Sequence, residues 1–343
     1  VLLERRSRRD HVAAVLAGRA DGELAASLQA VPLIGVGVGG GASSIDIDGV
    51  PVFVKWLPIT DRELAHPHST ANLFGLPARW QYGMYRLPGP GFGAWRELAA
   101  NRTVTEGVLA GETPSFPLLY HWRVLPGRPP IAAEHLDIDA VVAQFGGDEA
   151  VRARLDALAS ATASLVLFLE HLPDRLPRWL SDPVGRAATV ERQLFEMVAF
   201  LRNREVLHLD GHFGNIRADD EQLYLVDFGL ATSPRFDLSE AERDFAAANA
   251  GHDADYASMR LVNWLITSTC GVPAPAGGRP VVRDQLVRRC ATGDIPPGLP
   301  LPVADIVARH APAAARMNEF CSRLFDGDLF ARYPGTMRSP AQP

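Results

Sequence analysis

Lysine is almost missing from this chain: of its 34 Lys and Arg residues among 343, a single one, Lys55, is lysine. A protein that uses arginine for nearly every cation keeps a compact ammonium where a planar guanidinium will not serve, so Lys55 stands out before any motif is read. Cysteine is scarce too. Cys270, Cys290 and Cys321 are too few and too scattered for a disulfide framework or a zinc site, which leads to the expectation of a reducing, cytoplasmic setting. No apolar run reaches the roughly 18 to 20 residues that span a bilayer, and the amino terminus has no signal-peptide pattern. The net charge of −6 gives no electrostatic case for nucleic acid or an anionic membrane as partner. Arg5, Arg6, Arg8 and Arg9 form a basic start that Glu4 and Asp10 dilute, and it reads as a solvated helix end.

What is present excludes wholesale disorder, because 47% of the residues are hydrophobic and 22% charged. The most informative stretch is His208-Leu209-Asp210-Gly211-His212-Phe213-Gly214-Asn215, followed twelve residues later by Asp227-Phe228-Gly229. Two carboxylates and one amide at these offsets suit phosphoryl transfer from Mg-ATP. Asp210 would accept or orient the proton of an attacking hydroxyl, Asn215 would offer its amide oxygen to Mg²⁺, and Asp227 would hold the metal that bridges the phosphates. Leu223 to Val226 is a β-prone run after a polar turn, so Asp227 projects from a strand end.

Lys55 closes another strand-like run, Val50 to Val54, entered through the hairpin signal Asp48-Gly49. Upstream lies Gly35-Val36-Gly37-Val38-Gly39-Gly40-Gly41. Such glycines let backbone N–H groups approach phosphate oxygens, which makes Gly37, Gly39 and Gly40 candidate nucleotide contacts.

Together these motifs resemble the protein-kinase-like superfamily. The His-x-Asp-x-His-x-Gly-Asn form is most similar to the aminoglycoside phosphotransferase and choline kinase branch, which commonly carries His at the position of His212 and Gly at that of Gly214. Asp227-Phe228-Gly229-Leu230-Ala231 reads instead like a protein kinase. The resemblance implies an α+β, bilobal fold with a small β-rich amino-terminal lobe and a larger, mostly helical carboxy-terminal lobe. It implies ATP and Mg²⁺ as cofactors, with a small-molecule hydroxyl as acceptor. A Ser/Thr kinase for a protein or peptide is the alternative, and a pseudokinase binding module the reading from another class. Lys55 would be the phosphate ligand, held by a carboxylate from a neighbouring helix. Glu97, in the helix-prone run Gly93 to Asn101, is the choice over Glu106, which lies nine residues on and off the same face. Asp210 and His212 are the candidate catalytic residues. His212 has two readings, at the transferred phosphoryl group or as a brace of the loop, and His208 reads as architectural. Leu209 stands where regulated protein kinases carry an Arg, and it cannot grip a phosphorylated loop.

A boundary is expected near Tyr120 to Leu125, where a strand-like run meets the breaker-rich 126–130, giving lobes 1–125 and 126–343. Helical periodicity marks 149–171 and 189–203, with Leu165 to Leu169 read as a buried helix segment. Ser239 and Glu242 form a capping-box pattern that should start a helix; further helices are expected near 263–266 and 303–330, and the tail from Pro334 should fray. The 42 residues from Lys55 to Glu97 are long for one connection. They point to an insertion at 58–93, including Trp80-Gln81-Tyr82-Gly83-Met84-Tyr85, packed on the small lobe or serving as a substrate or partner surface. His66 and His68 lack the further ligands a metal needs. Arg235, in the short segment after Gly229, reads as an anion contact or as a solvated side chain.

Overall fold

The computed structural model describes residues 2–83, 87–273 and 278–335; Met84 and Tyr85 of the insertion and the 336–343 end of the tail lie outside the described residues. Five strands, β1 (Gly35–Gly37), β2 (Gly40–Ile47), β3 (Val50–Ile59), β4 (Leu119–Pro126) and β5 (Ala163–Glu170), form one antiparallel sheet in the order β1-β2-β3-β5-β4. Asp48 and Gly49, with φ of 52° and 84°, make the tight β2–β3 turn whose twist suits the flanking strands. This fixes a register in which Lys55 faces Ala42 on β2 and Leu167 on β5.

Alternation along β3 sends residues to two different cores. Val52, Val54 and Trp56 join Val166 and Phe168 of β5 under α1 (Leu2–Ala17) and α2 (Asp21–Gln29), through Val12, Leu16, Leu24 and Leu28. Leu57 and Ile59 join Leu165, Leu167 and Leu169 on the other face. After a single turn, α3 (Asp61–Leu64), α4 (Ala94–Leu109) covers that face with Trp95 and Leu98. Because both faces are covered, β5 carries apolar residues at every position from Leu165 to Leu169. That is why Leu165 to Leu169, expected as helix, is a strand: a run buried on two sides loses the period-two signal. The division expected at residue 125 therefore falls inside the sheet, which extends to Glu170.

Arg5 also departs from expectation. It is buried at the end of β5, with Nη2 2.6 Å from Glu170 Oε2, and it donates to the carbonyls of Pro114 and Phe116. The amino-terminal helix is thus pinned to the sheet rather than solvated at this residue.

The β4–β5 connection contains α5 (Ile138–Gln144) and α6 (Glu149–Ala159). It packs on the 58–93 segment: Arg154 Nη1 meets Glu63 Oε2 at 2.7 Å, both buried, and Trp80 donates to Asp148 Oδ2 at 3.1 Å. The 58–93 segment also reaches the helical half, where Tyr82 Oη donates to Asn249 at 2.8 Å and Gln81 donates to the Leu230 carbonyl at 2.8 Å. It is therefore not confined to the sheet.

Among the described residues beyond Glu170 the regular elements are helices apart from the hairpin β6 (Ile216–Ala218) and β7 (Leu223–Leu225). α7 (Leu176–Leu180) and α8 (Pro183–Asn203) precede that hairpin; α9 (Glu240–Ala248), α10 (His252–Thr269), α11 (Val281–Ala291) and α12 (Leu301–Phe325) follow it. The expected capping box starts α9: Ser239 Oγ accepts from Glu242 N, and Glu242 Oε2 accepts from Ser239 N. The other oxygen of Glu242 takes Arg96 Nη2 at 2.7 Å in a buried pair, so α4 is tied to α9. The protein is of the α+β class, with about half its residues in helices. Among the described residues no helix is long and apolar enough to cross a membrane.

Candidate active site

Lys55 lies on the α4 side of β3, and its stem is buried with the sheet core. Its Nζ stands 2.6 Å from Glu97 Oε1 and 2.8 Å from Asp227 Oδ1. Burial opposes the ammonium, but Asp227 and Glu97 outweigh it and hold Lys55 protonated well above the ordinary lysine range. The two carboxylates share that one cation unequally. Burial, reinforced by Asp227, raises Glu97 to about 7 in spite of Lys55. Burial also opposes the Asp227 anion, yet Lys55 and the Gly229 N–H hold its carboxyl down at about 2.

Glu97 reaches Lys55 because α4 begins where it does. Glu63 is buried and takes the Ala94 N–H on Oε1 at 2.9 Å, capping the first turn of α4. Burial resists the Glu63 anion, and Arg154 more than offsets it. Glu106, on the same helix, is exposed and is not the partner of Lys55.

The 208–215 loop brings Asp210, His212 and Asn215 together. Asn215 Nδ2 donates to Asp210 Oδ2 at 3.1 Å and to the Asp210 carbonyl at 3.0 Å, which orients the amide and leaves its oxygen for another partner. Burial, and then the neighbouring Asp227, push Asp210 up to about 7. His212 Nε2 lies 3.7 Å from Asp210 Oδ1, beyond hydrogen-bond reach, and burial together with Arg260 lowers its pKa. His208 is held by both ring nitrogens: Nε2 donates to the Val226 carbonyl at 3.1 Å, and Nδ1 accepts the Asp210 N–H at 3.3 Å. That pairing specifies the neutral ring, and burial lowers its pKa accordingly.

Both groups face one cavity of about 520 Å³, whose wall includes Gly37, Gly39, Gly40, Glu97, Asp210, His212 and Asp227. Lys55 reaches it beside Gly39, where a Cβ would sit 3.7 Å from Nζ. At Gly40, φ is +112° and a Cβ would stand 1.9 Å from the Trp56 carbonyl oxygen, so only glycine fits this turn. Of the two expected metal ligands, Asp227 is on the cavity wall and Asn215 is not among the residues that line it; each side chain carries a hard oxygen. Such a set suits a Mg²⁺ ion that keeps water and phosphate oxygens for its other positions. Among the described residues no cluster of three or more His, Cys, Asp or Glu suits a metal. His68 instead packs between Trp95 and Trp122, at ring distances of 4.8 and 5.3 Å. Arg235 pairs with Glu205 at 2.9 Å, both more than half exposed.

Three contributions escaped the sequence reading. Asp253, in the first turn of α10, accepts the His208 N–H at 2.7 Å and the Leu209 N–H at 3.0 Å, and so holds Leu209 at φ +64°. Gly83 approaches Asp210 so closely that a Cβ would lie 2.4 Å from Oδ1. Arg260 of α10 lines the cavity near Asp210 and His212. An acidic first turn was the only local signal for Asp253, and the other two had none. No family model and no curated protein matches the chain.

Proposed function

We propose that the protein is a Mg-ATP-dependent phosphotransferase with a bilobal, protein-kinase-like fold, in which the sheet-bearing lobe covers the nucleotide and the helical lobe presents the acceptor. The observation that carries this is the ammonium of Lys55 between Glu97 and Asp227, on the same cavity as Asp210. An acceptor hydroxyl hydrogen-bonded to Asp210 would form the new O–P bond at the γ-phosphorus as the bond to the bridging oxygen of ADP breaks, its proton passing to Asp210. A carboxyl raised to about 7 is matched to that transfer near neutral pH. Mg²⁺, held by Asn215 and Asp227, would neutralise charge on the phosphate oxygens. Lys55 would hold a phosphate oxygen while Glu97 fixes its position, and the Gly37–Gly40 turn would offer backbone N–H groups.

A small-molecule acceptor fits better than a polypeptide. The 58–93 segment and the β4–β5 connection meet through Trp80 and Asp148 and through His135, which donates to the Pro88 carbonyl at 2.8 Å. Together they wall the cavity, whose volume suits a nucleotide with a compact partner. A protein or peptide acceptor is the second reading, favoured by the form of Asp227-Phe228-Gly229-Leu230-Ala231.

The test is thermal denaturation with and without Mg²⁺ and ATP. Saturating Mg-ATP should raise the melting temperature of the wild type, and Asp227→Ala should remove most of that gain. A wild type indifferent to Mg-ATP would overturn the reading.

A further inference from the structure

Pro126-Gly127-Arg128-Pro129-Pro130 joins β4 to the connection that carries α5 and α6, and its composition makes it stiff. Gly127 takes the turn at φ +92°, and Pro129 fixes its own φ and restricts Arg128 before it. Pro129 is pressed against β2 next to the glycine turn: a Cβ on Gly41 would stand 2.7 Å from Pro129 Cβ, an approach that glycine permits. Arg128 thereby shares the wall of the cavity with Gly37, Gly39 and Gly40. Its fork is oriented by two carbonyls, Nη1 donating to Pro129 at 3.1 Å and Nη2 to Ala159, the last residue of α6, at 3.0 Å. Two of the five guanidinium N–H donors are engaged in this way. No ion pair among the described residues involves Arg128, whereas Arg154, another cation on the wall, is bound by Glu63 at 2.7 Å. Capping the carbonyl end of α6 accounts for one of the two contacts and leaves the charge on the cavity wall unexplained.

We infer that Arg128 is a phosphate-binding residue, a second cation besides Lys55 that receives the polyphosphate of the nucleotide at the glycine turn; this rests on the phosphotransferase reading above. Lys55 already faces Glu97 and Asp227, so that group of three side chains carries no net positive charge toward an incoming anion. A polyphosphate entering there needs a further cation in addition to Mg²⁺, and Arg128 supplies one without a carboxylate to displace. Backbone N–H groups of the turn meet phosphate oxygens singly, whereas a planar fork can take two oxygens of one phosphate through parallel donors. The two carbonyls and the flanking prolines hold that fork in place before the ligand arrives, which lowers the entropy lost on binding.

The inference is tested on the whole protein in Mg²⁺ with three probes: ATP, inorganic tripolyphosphate and adenosine. Isothermal titration calorimetry reads their dissociation constants in the wild type, Arg128→Gln and Arg128→Lys. In Arg128→Gln, ATP and tripolyphosphate should each bind about tenfold or more weakly, the loss expected when one charge-assisted contact is removed, while adenosine binding is unchanged. Arg128→Lys keeps the charge without the fork and should recover part of that loss. An unaltered affinity for either phosphate probe in Arg128→Gln would overturn the inference. So would equal losses for tripolyphosphate and adenosine, the result expected of a residue that only caps α6. If Arg128→Gln does not fold, Arg128→Lys decides: tripolyphosphate should bind about threefold or more weakly than in the wild type, and an unchanged affinity would refute the assignment. Arg128-dependent binding of tripolyphosphate without any response to ATP would instead count against the phosphotransferase reading, and a wild type that binds neither would overturn both.

Discussion

Replacing Asp253 by alanine removes the acceptor for two backbone N–H groups that hold the 208–215 loop. The carboxylate takes the His208 and Leu209 amides at 2.7 and 3.0 Å, its side chain is 12% exposed, and its pKa is lowered against the cost of burial by His252 and these donors. Each buried amide left without a partner costs about 1–3 kcal/mol. Leu209, at φ +64°, sits in a left-handed conformation that disfavours an L-residue by about 1–2 kcal/mol and that these bonds maintain. Partial relaxation recovers some of this, so Asp253→Ala should destabilise the protein by about 3–4 kcal/mol. Asp253→Asn keeps one oxygen acceptor and should cost about half as much. Urea denaturation followed by tryptophan fluorescence and circular dichroism measures both. A loss below about 1 kcal/mol for the alanine variant, smaller than a single orphaned amide, would refute the reasoning, as would equal losses for the two variants. Under the proposed function, a relaxed loop also misplaces Asp210, so kcat should fall more than ATP affinity does.

Lys55→Arg keeps the charge but puts a fork where an ammonium bridges two carboxylates, and steady-state assays should find turnover sharply reduced; near wild-type activity would show that Lys55 is not a phosphate ligand. Asp210→Asn should lower kcat by roughly 10²–10⁴-fold with ATP affinity changed only a few-fold, and loss of ATP binding would give Asp210 a structural role instead. The lowered pKa of His208 sets a pH dependence whose sign follows from linkage. Below about 6.5 the unfolded chain takes a proton that the native ring refuses, so stability should fall as pH drops from 7 toward 5, by up to about 1.4 kcal/mol per pH unit. Denaturation of His208→Gln should show a shallower slope over that window, and an unchanged slope would show that His208 is not the group responsible.

Local chemistry made part of the architecture legible. Asp48-Gly49 announced the β2–β3 hairpin, and Ser239 with Glu242 announced the start of α9, because each device acts within four residues. Lys55 and Glu97 could be named because one ends an apolar run and the other opens a helical one. β5 was misread because its alternation vanishes when α4 covers one face and the amino-terminal helices the other. Arg5 was misread because a charge looks solvated until its partner is known, and Glu170 lies 165 positions away. Gly83, Asp253 and Arg260 act on the loop through contacts that only the tertiary fold creates.

The scarcity of lysine acquires a physical reading once the buried cations are compared. Arg5, Arg96 and Arg154 each meet a buried carboxylate, Arg5 with two of its nitrogens and the other two with one, and Arg5 and Arg96 add backbone carbonyls, so that each joins two elements: α1 to the end of β5, α4 to α9, and α6 to α3. At these places a guanidinium serves well, because its donors are fixed in one plane and the elements should not move. Lys55 meets different demands. Its two carboxylates come from α4 and from the turn after β7, and the cavity lies beside them. An ammonium has three donors around a single point, and Glu97 and Asp227 take two of them. Among the described residues no hydrogen bond engages the third, which under the proposed function would meet an anion entering from the cavity. A guanidinium spanning the same carboxylates would fill the space that this anion needs. Under the proposed function, an arginine-biased chain has a physical reason to retain lysine at this position, namely the entering ligand rather than the stability of the fold.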